Sequence, residues 1–153
     1  MPVLARWPSS AGTVSDRTGV LYADSSALVK LAVLEAETDA LRAELEQWRD
    51  VATSVITEIE LARAVARIRA QGIASADEIA VWSITAATTE IELTAGIRRA
   101  AAELEPAGLK ALDAIHIASA LSLIEDDLAG LLTYDRQMQA AATRHGIDVL
   151  APA

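Results

Sequence analysis

Four acidic residues lie at points where a strand-like apolar run gives way to a helix-like one. They are Asp24, Glu58, Asp113 and Asp135. In a parallel α/β sheet such junctions meet at the carboxyl edge, where open sheets bind their ligands. Carboxylates gathered at one edge repel one another unless they are protonated or bridged by a cation. The pattern therefore predicts a divalent-cation site that hydrolyses phosphodiesters.

The residue types in this group suit Mg²⁺ or Mn²⁺, which prefer hard oxygen ligands. Two such cations about 4 Å apart can acidify a water nucleophile and stabilise the leaving oxyanion of a phosphodiester. The rest of the sequence offers little other catalytic equipment. It has no cysteine and only two histidines, His116 and His145. Disulfide frameworks, thiolate zinc sites and cysteine nucleophiles are therefore excluded.

Each acid also has a simpler explanation. Asp24 and Asp135 would serve as helix N-caps after a strand, and Glu58 would favour the positive end of a helix dipole. Asp113 is different because its neighbours are apolar, and a buried carboxylate is seldom left unpaired. The conjunction of all four acids favours a metal site over four separate structural roles.

Three further residues lie near these acids in the predicted helices. His116 follows Asp113 by one turn, so it could act as a general base, but its apolar surroundings favour a structural role. Arg63 and Arg67 share a helical face beyond Glu58, where they would contact nucleic-acid phosphates or form a solvated face with salt bridges. For the arginines the sequence leaves both alternatives open.

Short apolar runs alternate with helix-like segments along the chain. The predicted strands are 20–23, 50–53, 89–93, 130–133 and 147–150, of which 89–93 could instead be an extended linker. The predicted helices are 25–34, 36–48, 54–72, 75–87, 94–104, 112–124 and 135–144. Ser54, Ser75 with Glu78, and Asp135 are predicted N-terminal caps, and Gly72 is a predicted C-terminal stop. This alternation predicts an α/β fold with a mostly parallel sheet and helices on both faces.

With 153 residues, the chain is expected to form one domain with an ordinary core. Apolar residues make up 52% of it but aromatic residues only 3%, which favours closely packed helices over an aromatic-rich barrel. No apolar run reaches the ~18–20 residues that would span a bilayer, and the first nineteen residues contain no signal-peptide core. We expect a cytoplasmic protein in which 1–19 is a disordered tail or a misassigned start, and 20–152 is the single domain.

The net charge of −9 argues against a nucleic-acid partner, because phosphate contacts usually need a basic surface. Two features weaken this objection. Four of the acids are assigned to one pocket, where a bound cation would reverse the local field. The arginines are also clustered, with Arg63, Arg67 and Arg69 on one segment and Arg98 and Arg99 on another. A nucleic-acid substrate is therefore compatible with the acidic composition.

Four segments of the sequence resemble the PIN-domain ribonucleases, and among them the VapC-type toxins of bacterial toxin–antitoxin pairs. The segments are YADSSALVKL at 22–31, TSVITEIEL at 53–61, LDAIHIASA at 112–120 and LTYDR at 132–136. They occur in the family's order, and the resemblance extends from Leu21 to Pro152. The first and third segments are specific to the family. The second and fourth segments support the resemblance only in combination with the other two.

The resemblance implies a PIN-like, three-layer α/β/α fold around a central, mostly parallel sheet of four to five strands. It matches the four family acids to Asp24, Glu58, Asp113 and Asp135. Asp24 and Asp113 would be the principal Mg²⁺ or Mn²⁺ ligands, and the other two acids would complete the shell directly or through water. Ser25 or Ser26 and Thr133 match hydroxyl positions that orient the first and fourth acids.

The same resemblance implies metal-dependent endonucleolytic cleavage of structured RNA, such as tRNA or rRNA, that leaves a 5′-phosphate. It also implies a VapB-type antitoxin, which covers the acidic groove with a short helix, and a homodimer formed through the early helices. A phosphoacceptor domain is disfavoured because Asp24 precedes two serines and because the only lysines, Lys30 and Lys110, are misplaced. The serious alternative is a non-catalytic RNA-binding or protein-interaction module, because a sequence does not show whether a metal ion is bound.

Overall fold

A computed structural model describes residues 17–73 and 78–153 of the chain. Its strands are β1 (Arg17–Ala23), β2 (Trp48–Ser54), β3 (Thr89–Ile91), β4 (Leu128–Leu132) and β5 (Val149–Leu150). Its helices are α1 (Ser25–Ala32), α2 (Thr38–Leu45), α3 (Thr57–Ala70), α4 (Glu78–Ala87), α5 (Ala95–Glu103), α6 (Ala111–Leu121) and α7 (Arg136–Arg144). A 3₁₀ turn, Ile124–Asp126, precedes β4. Strands and helices therefore alternate as the hydrophobic pattern predicted.

The five strands form one sheet in the order β3–β2–β1–β4–β5. Each neighbouring pair of these strands is parallel. Because β1 is central, the residue that follows it lies in the middle of the carboxyl edge, where parallel sheets bind ligands. The predicted α/β fold with four to five strands is confirmed, and the described sheet is parallel throughout.

The sheet carries a hydrophobic core on each face, because successive strand residues point in opposite directions. Leu21 and Ala23 of β1 pack on one face with residues of α1, α2, α3 and α4. Val20 and Tyr22 pack on the other face with residues of α6 and α7. Each fully buried aliphatic side chain in these cores contributes about 1.5–3 kcal/mol to stability. Two layers of helices therefore enclose the sheet, which confirms the three-layer prediction.

Two boundaries at the amino end of the sheet differ from the sequence prediction. β1 begins at Arg17, earlier than the predicted strand start at Val20, and Gly19 has a left-handed φ of 89° within an irregular stretch of the strand. Trp48 belongs to β2 rather than to the end of α2. Its ring centroid lies 5.2 Å from the Arg17 guanidinium, and its indole donates to Glu44 at 3.0 Å. Contact between Arg17 and Trp48 therefore extends the sheet beyond the apolar runs.

The ends of α3 show one confirmed and one mistaken prediction. Gly72 follows the helix with a φ of 79°, as expected of a C-terminal glycine. The predicted cap Ser54 is instead the last residue of β2, and α3 begins at Thr57. Ser75 and residues 1–16 of the predicted tail lie outside the described residues. In the ranges 17–73 and 78–153, no helix has the length and apolar character needed to cross a membrane.

Candidate active site

The first acid, Asp24, is buried at the carboxyl end of β1, where it is also the N-cap of α1. Its Oδ1 accepts hydrogen bonds from the Ala27 amide at 3.1 Å and from the Ser26 hydroxyl at 2.7 Å. Its Oδ2 accepts one from the Thr133 hydroxyl at 2.6 Å. Burial raises the pKa of Asp24, and these donors offset the increase only in part. The capping role and the site role therefore belong to the same carboxylate.

Thr133 links the first and fourth acids. While its hydroxyl donates to Asp24, its oxygen accepts a hydrogen bond from the Asp135 amide at 3.1 Å. The Ser26 hydroxyl similarly accepts one from the Tyr134 amide at 3.0 Å. The resemblance left Ser25 and Ser26 as alternatives, and the hydroxyls of Ser26 and Thr133 contact the acid-bearing segments directly.

Asp113 and Asp135 lie at the starts of α6 and α7. Asp113 is half-buried in the first turn of α6. Asp135 is exposed and caps α7, where its Oδ1 accepts from the Gln137 amide at 2.7 Å and the Met138 amide at 3.1 Å. Burial raises the pKa of Asp113, and the negative charge of Asp135 raises it further. The third and fourth acids therefore interact, as expected of carboxylates at one sheet edge.

The second acid beside them is Glu60 rather than the predicted Glu58. Oε2 of Glu60 lies 2.7 Å from Nε2 of His116, and its charge adds to the burial that raises the pKa of Asp113. Glu58 lies near Glu90 instead, where its charge adds to the burial that raises the pKa of Glu90. Five acids line one cavity, namely Asp24, Glu35, Glu60, Asp113 and Asp135. Glu35 pairs with Lys30, which leaves the other four as the candidate site acids.

Helical periodicity distinguishes the two glutamates. Residues three, four and seven positions apart share a face of an α-helix. Glu60 is in this register with Arg63 and Arg67, which also line the cavity. Glu58 is in register with Leu61, which is fully buried in the core. The sequence therefore contained a signal for Glu60, namely its alignment with the two arginines.

His116 is buried and has a protein partner at each ring nitrogen. Nδ1 lies 2.8 Å from the Tyr22 hydroxyl, and Nε2 lies 2.7 Å from the Glu60 carboxylate. A carboxylate only accepts hydrogen bonds, so Nε2 carries a proton, and in the neutral imidazole Nδ1 then accepts from Tyr22. With both nitrogens engaged, His116 has no free nitrogen to take a proton from water. This arrangement favours the predicted structural role over that of a general base.

These residues line one cavity of about 530 Å³ at the carboxyl edge of the sheet. Its polar wall consists of Asp24, Ser25, Ser26, Glu35, Glu60, Arg63, Arg67, Asp113, His116 and Asp135. Its apolar wall consists of Val29, Ile59, Ala64, Ile68 and Leu112. Acidic, basic and apolar surfaces therefore meet in a single groove, which we call the acidic groove.

The donor set of the acidic groove suits a hard divalent cation. Carboxylate oxygens predominate, and burial raises the pKa of both Asp24 and Asp113. A cation bound there would favour the ionised carboxylates and offset their mutual repulsion. Among the described residues, no three acidic or imidazole side chains already form a ligand shell. Because Mg²⁺ is usually held by one or two carboxylates and several waters, the residues fit such an ion.

Known proteins are similar in sequence to this chain over most of its length. Residues 21–146 match the PIN domain family. Ribonuclease VapC35 of Mycobacterium tuberculosis is 37% identical over 136 residues, which cover 87% of this chain and 97% of that protein. Ribonuclease VapC46 of the same species is 38% identical over 135 residues, which cover 86% and 97%. The similarity therefore spans nearly the whole length of both relatives.

Solved structures share the fold. VapC20 of Mycobacterium tuberculosis, a sarcin–ricin-loop-cleaving toxin, superposes with a TM-score of 0.63 at 17% identity, covering 86% of this chain and 99% of the other. A toxin–antitoxin complex from Klebsiella pneumoniae superposes with a TM-score of 0.60 at 22% identity, covering 88% and 98%. These superpositions establish the fold, and the sequence matches establish the family. The chain belongs to the PIN-domain family, within which it is a relative of the VapC-type ribonuclease toxins.

Proposed function

We propose that the chain is a Mg²⁺- or Mn²⁺-dependent endoribonuclease of the VapC toxin type. Four of the five acids that line one groove at the carboxyl edge of a parallel sheet, Asp24, Glu60, Asp113 and Asp135, carry this proposal. Family membership supports it, because the curated relatives are named ribonucleases. A non-catalytic module would have no use for four mutually repelling carboxylates.

Asp24 and Asp113 are the proposed principal ligands of the cation. Glu60 takes the place that the sequence pattern assigned to Glu58. Asp135 completes the set directly or through water, and this contact falls to Oδ2 because Oδ1 caps α7. When bound, the cation supplies Lewis acidity for the attack of water on a phosphodiester.

The protein's own hydrogen bonds orient the first acid before any ligand binds. Three donors hold Asp24 in one position at its buried corner. A group that is already ordered loses little conformational freedom on binding, which favours affinity. The Glu60 side chain is 20% exposed and Asp135 is exposed, so both can meet water in the acidic groove. A carboxylate in that position can orient a water molecule and accept its proton.

Arg63 and Arg67 are the proposed RNA contacts. They share a face of α3 with Glu60 and line the acidic groove. A guanidinium group binds phosphate oxygens through paired N–H donors. Two such groups supply a local positive surface to the RNA backbone despite the net charge of −9. We propose structured RNA, such as tRNA or rRNA, as the substrate, with cleavage that leaves a 5′-phosphate.

A VapB-type antitoxin is the proposed partner that controls this site. In the apolar wall of the acidic groove, Ile59 is 66% exposed and Leu112 is 49% exposed. A short amphipathic helix could bury both side chains, and an arginine on that helix could pair with the acids. One structural neighbour is itself a toxin–antitoxin complex, which supports the proposal. We further propose a cytoplasmic homodimer formed through α1 and α2.

Incubation of the purified protein with total cellular RNA and Mg²⁺ or Mn²⁺ tests the proposed activity. Parallel reactions contain EDTA or an identically purified Asp113→Asn protein. We expect discrete fragments that require the cation and are absent from the variant reaction, and sequencing of their 5′ ends would identify the cleavage site. Absence of cleavage, or equal cleavage by the variant, would contradict the proposal and favour a binding module or a contaminating nuclease.

A further inference from the structure

A buried chain of hydrogen bonds leads from the central strand to the acidic groove. The Tyr22 hydroxyl donates to Nδ1 of His116 at 2.8 Å, and Nε2 of His116 donates to Glu60 at 2.7 Å. Tyr22 is 0% exposed and His116 is 2% exposed, whereas the Glu60 side chain is 20% exposed. The chain therefore begins in the core and ends at an acid that lines the groove.

We propose that Tyr22 and His116 are positioning residues that hold the Glu60 carboxylate in the cation site. Because this role concerns one acid of that site, it rests on the proposed function. Tyr22 is fully buried, and both ring nitrogens of His116 have protein partners. Both act through Glu60, which makes their contribution separable from that of the acids themselves.

Glu60 requires such support because its carboxylate lies at the end of a long side chain among other acids. Like charges favour rotation of the side chain away from them, toward solvent. Glu60 lines the same groove as Asp24, Asp113 and Asp135. A charge-assisted hydrogen bond from the buried imidazole of His116 opposes that rotation. The imidazole therefore holds the carboxylate within the acidic groove.

Tyr22 is the hydrogen-bond partner of the other ring nitrogen of His116. By donating to Nδ1, it leaves the proton on Nε2, the nitrogen that faces Glu60. The two rings meet edge to face, with centroids 6.0 Å apart and planes inclined at 72°. Tyr22 therefore supports the tautomer that the Glu60 carboxylate requires and holds the imidazole in its orientation.

The same hydrogen bonds join the three elements that carry the first, second and third acids. Tyr22 lies on β1, which ends at Asp24, and His116 follows Asp113 by one turn of α6. Glu60 lies on α3, which packs on the opposite face of the sheet from α6. The hydrogen bonds therefore cross the carboxyl edge of the sheet and connect Glu60 in one helical layer to the helix that carries Asp113 in the other.

Binding of Mn²⁺ alone, measured by electron paramagnetic resonance, tests this role without RNA. We expect Tyr22→Phe and His116→Phe to weaken Mn²⁺ binding by about 10–100-fold, the usual cost of losing a residue that orients a metal ligand. Tyr134→Phe is the matched control, since it removes a tyrosine hydroxyl that donates to the Pro152 carbonyl at 2.6 Å. Its affinity for Mn²⁺ should equal that of the wild type.

A double-mutant cycle separates positioning from general damage to the fold. In a Glu60→Gln protein, His116→Phe should weaken Mn²⁺ binding no further, because its route to the cation is already lost. If His116→Phe weakens Mn²⁺ binding by the same factor in the Glu60→Gln protein as in the wild type, the inference is wrong. An unchanged affinity in Tyr22→Phe would also overturn it. Tyr22→Phe alone decides the matter if His116→Phe does not fold. A wild-type protein that binds no Mn²⁺ would instead contradict the proposed function itself.

Discussion

Two regions of the acidic groove hold their acids by different means. The first-acid corner consists of Asp24, Ser26 and Thr133. The second-acid limb consists of Glu60, His116 and Tyr22. At the corner, short hydroxyl side chains at strand and helix ends donate directly to the carboxylate. In the limb, a buried ring reaches the carboxylate from a helix on the opposite face of the sheet.

The difference shows how much of a site the backbone can determine. At the corner, Ala23 pairs with Leu132 in the parallel sheet, and the Asp24 amide donates to the Leu132 carbonyl at 3.2 Å. Sheet register thereby places Thr133, the next residue, beside Asp24. The limb depends on side-chain packing between helices rather than on strand register. We therefore expect the limb to be more sensitive than the corner to changes in the core.

The largest expected effect separates Glu60 from its neighbour Glu58. Glu60→Gln should reduce RNA cleavage by more than the about 10–100-fold typical of a residue that only orients a ligand, because we assign Glu60 to the cation site itself. Glu58→Gln should leave the cleavage rate unchanged. Initial rates on one RNA at a fixed Mg²⁺ concentration measure both variants. A greater loss of cleavage in Glu58→Gln than in Glu60→Gln would instead favour Glu58, the acid that the sequence pattern predicted.

A second prediction compares the strength of the two hydrogen-bonded regions. Thr133→Val removes a donor to the buried Asp24 carboxylate, and bonds to charged groups contribute about 1.5–3 kcal/mol. Tyr22→Phe removes a bond between neutral groups, which contributes about 0.5–1.5 kcal/mol. Urea denaturation at neutral pH without metal should therefore show the greater loss of stability in Thr133→Val. An exposed hydroxyl, removed in Thr143→Val, provides the control.

A third prediction concerns the pH dependence of stability in the metal-free protein. Burial raises the pKa of Asp24 and Asp113 above their ordinary value of 3.8, so the folded protein retains protons that the unfolded chain has released. Each group therefore lowers the free energy of unfolding as the pH rises above about 3.8. Asp113→Asn should reduce this slope and stabilise the metal-free protein at neutral pH. Urea denaturation from pH 4 to pH 7 in EDTA measures it, and a slope unchanged by the variant would contradict the assignment.

The smallest expected effect concerns the arginines on the face of Glu60. Arg63→Ala and Arg67→Ala should each weaken RNA binding across sequences and reduce the salt dependence of log Kd by about 1, as expected for a lost phosphate contact. Fluorescence anisotropy with tRNA and an Asp113→Asn background measures binding without cleavage. Arg99→Ala on α5, which is outside the groove lining, is the control. Equal effects at positions 63, 67 and 99 would indicate non-specific charge attraction.

Local chemistry explains why parts of the site could be predicted. Asp24 and Asp135 follow strands and cap helices, so their positions depend on neighbouring residues. The boundary errors had equally physical causes. Trp48 fits a helical apolar pattern, but its ring packs beside Arg17 at the start of β2. Gly19 interrupts the apolar run, and its left-handed backbone coincides with a shift in strand register between Arg17 and Val20.

The sequence by itself predicted the α/β fold with its mostly parallel sheet and three of the acids that line the groove, and the family resemblance pointed to the hydroxyls of Ser25 or Ser26 and of Thr133. These features follow from strand-to-helix junctions, which are encoded within a few residues. Only the tertiary structure decided that Glu60 joins the groove and that His116 is its partner. The two residues are 56 positions apart and belong to helices on opposite faces of the sheet. Their contact exists because both helical layers pack against one sheet and meet at its carboxyl edge.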